Sequence, residues 1–115
     1  MEALVTVHTG IQAVLYPWGY RDTDTSNPEE VADIEFMAQT AENMRKAIEQ
    51  TTERNYYVSN SYHDYQTYSE LLDYAYGVHG IHTYTMEVIC EGYDESVSYQ
   101  PDRNPDAYEN PENFN

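Results

Sequence analysis

The sequence is short of positive charge: it carries 5 Lys+Arg against 21 Asp+Glu, a formal charge of -16 over 115 residues. Nucleic acid is therefore excluded as a partner class, because phosphate binding needs a cationic surface. Cysteine occurs once, at Cys90, so no internal disulfide can close and a cysteine-rich zinc site is excluded. No apolar run approaches the roughly 20 residues of a membrane span. Met1-Glu2-Ala3 lacks the basic opening of a secretory leader. Histidine is sparse, and His8, His63, His79 and His82 form no His-x-x-Glu, His-x-x-x-His or Glu-x-x-His pair. Those are spacings at which one segment presents two zinc ligands. On spacing alone each histidine reads as structural or exposed. The length suits one small domain with a modest core.

What the sequence does have in excess is acid and tyrosine. The acid fits a well-solvated surface, adapted either to high salt or simply to secretion. Eight of the 13 tyrosines fall between Tyr56 and Tyr84. With an apolar body and a polar tip, they suit a half-buried cleft wall or an aromatic-rich surface.

Periodicity and punctuation divide the chain. Ala3–His8 and Gln12–Tyr16 are short apolar and β-branched runs that read as strands, and Pro17-Trp18-Gly19-Tyr20 ends the second. Ser26 or Asn27 can cap a helix opened by Pro28, with Glu29 and Glu30 at its positive end. Val31, Ile34, Met37, Ala38, Ala41, Met44 and Ile48 then share one face, which predicts a helix from Pro28 to about Gln50. Asn55–Tyr68 predicts a long loop with at most one short strand. Glu70–Gly77 predicts a short helix stopped by Gly77, and Thr83–Ile89 alternates as a strand. From Glu91 the chain turns acidic and poor in aliphatics, predicting a weakly ordered tail over 91–115 beside a domain over 1–90.

Two local patterns have competing readings. Asp22, Asp24, Ser26 and Glu30 look like a calcium loop, but the glycine such a loop needs is missing, and helix capping explains the same residues. Glu87 lies among Tyr84, Thr85, Met86, Val88 and Ile89. It either faces solvent from an amphipathic strand or is a catalytic base at a strand end, where open α/β sheets place their chemistry.

Three separated segments, in order, resemble zinc metallocarboxypeptidases of the A and T types. Val7–Tyr20 carries a histidine at a strand end and, eight residues later, Tyr16-Pro17-Trp18-Gly19-Tyr20. Tyr65–Ile81 carries Tyr65, then Asp73, Tyr74, Tyr76 and Gly80-Ile81 in the family's frame. Thr83–Val88, Thr-Tyr-Thr-Met-Glu-Val, is similar to the family's strand bearing its catalytic glutamate. The resemblance runs from about Leu4 to Ile89.

It implies an α/β fold, part of a mixed and mostly parallel sheet flanked by helices, incomplete in this chain. It implies zinc as cofactor with His8 as one ligand, Glu87 as general base, and Tyr65 as the tyrosine closing over the substrate's C-terminal end. Leu72 would lie at the base of the specificity pocket, with Gly19 and Thr85 forming other parts. Glu70 would add tolerance for Lys or Arg to an otherwise apolar or aromatic preference. The implied substrate is a peptide or protein C-terminus, and the implied location is extracellular. The family's His-x-x-Glu zinc ligands and its carboxylate-gripping Asn-Arg pair belong upstream, so the resemblance is to the C-terminal portion and calls for a missing N-terminal half. The family's small Gly-rich turn is replaced by Tyr68-Ser69-Glu70, which is bulky enough to fill the pocket.

The chemistry of such an enzyme uses a zinc with one open position and a carboxylate that moves the proton. Three readings follow: a fragment of a zinc exopeptidase, inactive by itself; a degenerate relative that binds peptide C-termini without cleaving them; and an unrelated acidic α/β interaction domain.

Overall fold

The computed structural model describes residues 3–52 and 54–88. The tail expected from Glu91, and with it the division into 1–90 and 91–115, lies outside them, as does Ile89 of the last predicted strand. Seven elements follow in order: β1 (Ala3–Thr9), β2 (Ala13–Tyr16), α1 (Pro28–Thr52), β3 (Tyr57–Asn60), α2 (Ser61–Asp64), α3 (Leu71–His79) and β4 (His82–Val88). The four strands form one sheet in the order β1-β4-β2-β3. β1 runs parallel to β4 and β2 parallel to β3, while β2 and β4 are antiparallel. The sheet is thus mixed, mostly parallel and flanked by helices, as the resemblance implies.

α1 forms where its caps and periodicity place it. Asn27 is the cap: its Oδ1 accepts from the backbone N–H groups of Glu29 and Glu30 at 3.1 and 3.2 Å. Asp24 instead accepts from Ser26, so these side chains tie off the loop before the helix. Ile34, Met37 and Ala41 are buried and Met44 and Ile48 half-buried on the predicted face. They pack on Val14, Tyr56 and Tyr84 together with Trp18 and Tyr76. By area, each fully buried aliphatic contributes about 2 kcal/mol of transfer free energy.

The predicted loop over Asn55–Tyr68 is more regular than its composition suggests. It holds β3 and the single turn α2, which Asn60 caps through His63 N–H. Tyr57 N–H donates to Gln12 O, so partnership with β2 organises a stretch that has no period of its own. α3 runs through Gly77 to His79, two residues beyond the expected stop. The terminating residue is Gly80, left-handed at φ 65°, whose N–H reaches back to Tyr76 O. That reversal places His79 and His82 on different elements.

The side chains of β4 alternate. Tyr84 enters the core against α1, while Thr83, Thr85 and Glu87 face the other side. On that side the register aligns Thr6, Thr85 and Leu15 in one row and His8, Glu87 and Ala13 in the next. β1 is an edge strand, and Val5 and Val7 are 44% and 65% exposed.

Candidate functional site

Parallel pairing of β1 and β4 brings their carboxyl ends together, which is where open sheets of this kind place ligands. His8 and Glu87 are register partners there, on strands about 5 Å apart. His8 is exposed and Glu87 half-buried. Both line a cavity of about 340 Å³ with Tyr65, Glu70, Leu72 and Thr85. Six residues singled out in the sequence, drawn from β1, β4, α3 and the loop between α2 and α3, therefore surround one concavity. Gly19, the seventh, is not in its lining. It lies buried behind Glu70: a Cβ added there would come within 2.5 Å of Glu70 Oε2 and of Thr67 Oγ1.

Each wall has a physical reason. Leu72 is 3% exposed, and its carbonyl accepts from Thr83 Oγ1 at 2.8 Å, which docks the first turn of α3 on β4. Thr85 and Thr6 share a hydroxyl contact of 3.0 Å across the strand pair. The Pro17–Trp18 peptide is cis, and the loop it opens is held from several sides. Asn60 Nδ2 donates to Pro17 O, Tyr62 N–H to Trp18 O and Thr67 N–H to Gly19 O. Asp73 accepts from Gly19 N–H at 2.8 Å and Tyr20 N–H at 3.1 Å, joining this loop to α3. On the far side, Glu30 accepts from Trp18 Nε1 at 2.9 Å, from Arg21 and from Asp24 N–H. The Arg21 guanidinium lies over the rings of Trp18 and Tyr20, 4.7 and 5.3 Å from their centroids.

The bulky turn Tyr68-Ser69-Glu70 keeps a glycine-like backbone. Ser69 has φ 61°, a conformation that costs a non-glycine residue about 1 kcal/mol or more. The turn sends the Glu70 side chain over Gly19, with Oε2 buried and no donor bonded to it. Burial raises the Glu70 pKa, and the nearby Asp73 charge raises it further, against lowering contributions from Thr67, His8 and Ser61. Burial likewise raises Asp73, against the two N–H groups it holds. Glu30 moves the other way, lowered chiefly by its hydrogen bonds to Arg21.

The cavity also includes Ser69 of the bulky turn and side chains that the sequence did not single out: Thr6, Leu15, Ser61, Asp64 and Leu71. Leu15 and Thr6 could have been found from strand alternation once the pairing was known. Asp64 and Ser61 could not, because α2 is one turn long and its orientation is set by β3. A second, more open groove shares Ser69, Glu70 and Leu71 and continues over Trp18, Tyr20, Tyr68 and Tyr74, which accounts for part of the tyrosine excess.

As a metal centre the described residues are incomplete. Among them no three His, Cys, Asp or Glu side chains converge to hold an ion. His8 offers one imidazole where a zinc site wants three or four protein donors.

The chain matches the profile of the zinc carboxypeptidase family over residues 1–110, and it belongs to that family. At family level this makes it a hydrolase of the zinc metallocarboxypeptidase type, and the reading as an unrelated interaction domain falls away. No curated protein matches it closely enough to count as a relative. Among the described residues no helix is long and apolar enough to cross a membrane.

Proposed function

We propose that this chain supplies the substrate-end pocket and the proton acceptor of a carboxypeptidase that hydrolyses the C-terminal peptide bond of extracellular peptides and proteins. His8 is its contribution to the zinc site, and the remaining ligands come from an upstream segment, so the chain alone is inactive. The supporting observation is that His8, Glu87, Tyr65, Glu70, Leu72 and Thr85, far apart in sequence, line one cavity at the carboxyl ends of β1 and β4.

In this reading the terminal side chain enters over Leu15, Leu72 and Thr85. Tyr65, 48% exposed at the rim, closes over the terminus. Gly19 acts from behind, leaving room for Glu70. Glu87 takes a proton from the attacking water and passes one to the leaving amine. The half-buried position of Glu87 suits that role, since a base must reach both solvent and substrate.

The test joins the chain to the upstream segment and compares Glu87→Gln with Glu35→Gln, an exposed residue on α1. Glu87→Gln should lower turnover about 100-fold to 10,000-fold, the usual span for a general base, with zinc content and peptide binding retained. Glu35→Gln should be neutral. In the same protein His8→Ala should lower zinc content. Full turnover in Glu87→Gln removes the mechanism, and unchanged zinc in His8→Ala removes the ligand assignment. Peptide binding without any hydrolysis by the joined protein would favour a non-catalytic module for peptide C-termini. The incomplete donor set among the described residues is the observation on that side.

A further inference from the structure

Tyr65 follows α2, a single turn too short to hold its shape unaided, because the first turn of any helix forms at a loss. Its neighbours therefore fix where Tyr65 stands. On one side the supports lie in the Pro17–Tyr20 loop. Tyr62 N–H donates to Trp18 O at 2.7 Å, Thr67 N–H to Gly19 O at 2.9 Å and Gln66 Nε2 to Tyr20 O at 2.9 Å. On the other side the support is the sheet. Tyr57 O–H donates at 2.9 Å to Oδ1 of Asp64, the residue directly before Tyr65. Tyr57 is itself well anchored: its N–H donates to Gln12 O, and its side chain packs on Ile11, Ala13 and Leu15. The bond thus reaches from the first residue of β3 to the last of α2. Asp64 lines the same cavity as Tyr65, whereas Tyr57 does not.

We propose that Tyr57 and Asp64 are positioning residues, whose hydrogen bond sets where Tyr65 stands at the cavity rim and so how tightly a peptide C-terminus is held. The proposal rests on the reading of the cavity as the site for the substrate's terminal residue, with Tyr65 closing over it. It adds that this closure is set from β3, by a donor outside the cavity. With the backbone before it fixed, the Tyr65 ring has fewer orientations to lose when it closes, and binding costs less.

The probe is N-acetyl-phenylalanine, a terminal carboxylate on an aromatic residue, titrated into the full chain by NMR or calorimetry. Tyr57→Phe removes the donor without changing charge. Asp64→Ala and Asp64→Asn remove the same charge, but asparagine keeps a carbonyl oxygen that can accept from Tyr57. The difference between them isolates the hydrogen bond from the effect of a nearby anion on an anionic probe. Tyr65→Ala removes the rim side chain, and Tyr57→Phe is repeated in that background.

Tyr57→Phe should weaken binding about threefold to tenfold, the span of one net hydrogen bond. Asp64→Ala should bind more weakly than Asp64→Asn by a similar factor. Tyr65→Ala should itself bind weakly, and adding Tyr57→Phe to it should change nothing further. Melting temperatures show whether the variants fold, and the pair at Asp64 decides the question if Tyr57→Phe does not. Wild-type affinity in Tyr57→Phe, or equal affinity of Asp64→Ala and Asp64→Asn, overturns the proposal and spares the reading of the cavity. An equal loss from Tyr57→Phe with and without the Tyr65 side chain also overturns it, by making the bond structural only. Failure of the wild-type chain to bind the probe, or unchanged binding by Tyr65→Ala, overturns the reading of the cavity and its rim, and this proposal with it.

Discussion

Glu30 and Glu70 stand on opposite sides of the same loop, Pro17–Tyr20, and the chain treats them differently. Glu30 is buried with its needs met: the Arg21 fork, the Trp18 indole and the Asp24 N–H all donate to it. Glu70 is half-buried over Gly19, with one oxygen unbonded and a second acid, Asp73, nearby. Their pKa values move in opposite directions for that reason, down for Glu30 through Arg21 and up for Glu70 through burial. A carboxylate completed by its own chain acts as structure, whereas one left incomplete in a cavity is available to a ligand.

The largest effect on stability should come from the completed side. Glu30→Ala removes the acceptor of four donors and leaves the Arg21 guanidinium unpaired against aromatic rings. Losing one partner of a buried pair costs about 3–5 kcal/mol. Arg21 is partly solvated, with its side chain 34% exposed, so about 2–3 kcal/mol is the expectation here. Chemical denaturation reads it directly, and the melting temperature should fall by about 10 °C. A loss within 0.5 kcal/mol would mean that Glu30 is no more structural than Glu70.

Next comes the contact between Gly19 and the Glu70 carboxyl. Gly19→Ala should cost about 1–3 kcal/mol, the usual range for overpacking, because its new methyl meets Glu70 Oε2 and Thr67 Oγ1. In a Glu70→Gly background the cost should shrink by a measurable part, and a double-mutant cycle checks this. Simple additivity would show that Glu70 does not lie over Gly19 in solution.

Glu70→Gln itself should be the mildest change, neutral or stabilising by up to about 1 kcal/mol at neutral pH, since it removes a charge held partly out of water. The sign of its pH dependence follows from linkage. With the folded pKa raised, the native state binds its proton sooner than the unfolded chain, so wild-type stability improves as pH falls through that raised range. Any advantage of Glu70→Gln should therefore shrink on acidification from pH 7 toward the ordinary carboxylate range. Glu30→Gln should behave in the opposite sense. Glu30's folded pKa is lowered, so its stabilisation is present above its ordinary value and lost as pH falls through the lowered one. Comparing denaturation of the two variants with wild type at several pH values tests both signs together.

The long helix was legible because a solvent-facing helix must repeat its apolar face and must cap its first turn, and Asn27 to Ile48 meets both needs locally. β1 and β2 were legible as short apolar and β-branched runs, the second ended by Pro17, and β4 as an alternation. β3 was legible only as one short strand without bounds inside a predicted loop, and α2 not at all, because a stretch rich in tyrosine, serine and asparagine has no local pattern and pairing with β2 makes it regular. The helix stop at Gly77 was misread for a related reason. Glycine inside a short helix is tolerated, and Gly77 packs near the Trp18 ring, a partner distant in sequence.

The sequence by itself determined the family, through three motifs whose order and spacing survive, and it determined the residue types at the site. Only the tertiary structure decided that β1 and β4 pair in the register that sets His8 beside Glu87, and that Asp64 joins them in the cavity. It alone decided that Gly19 stands behind the lining rather than in it, and that Arg21 goes to Glu30 rather than to Glu70. Those outcomes depend on which strands become neighbours and which side chains reach a common volume. Such contacts join residues tens of positions apart, and no periodicity along the chain encodes them.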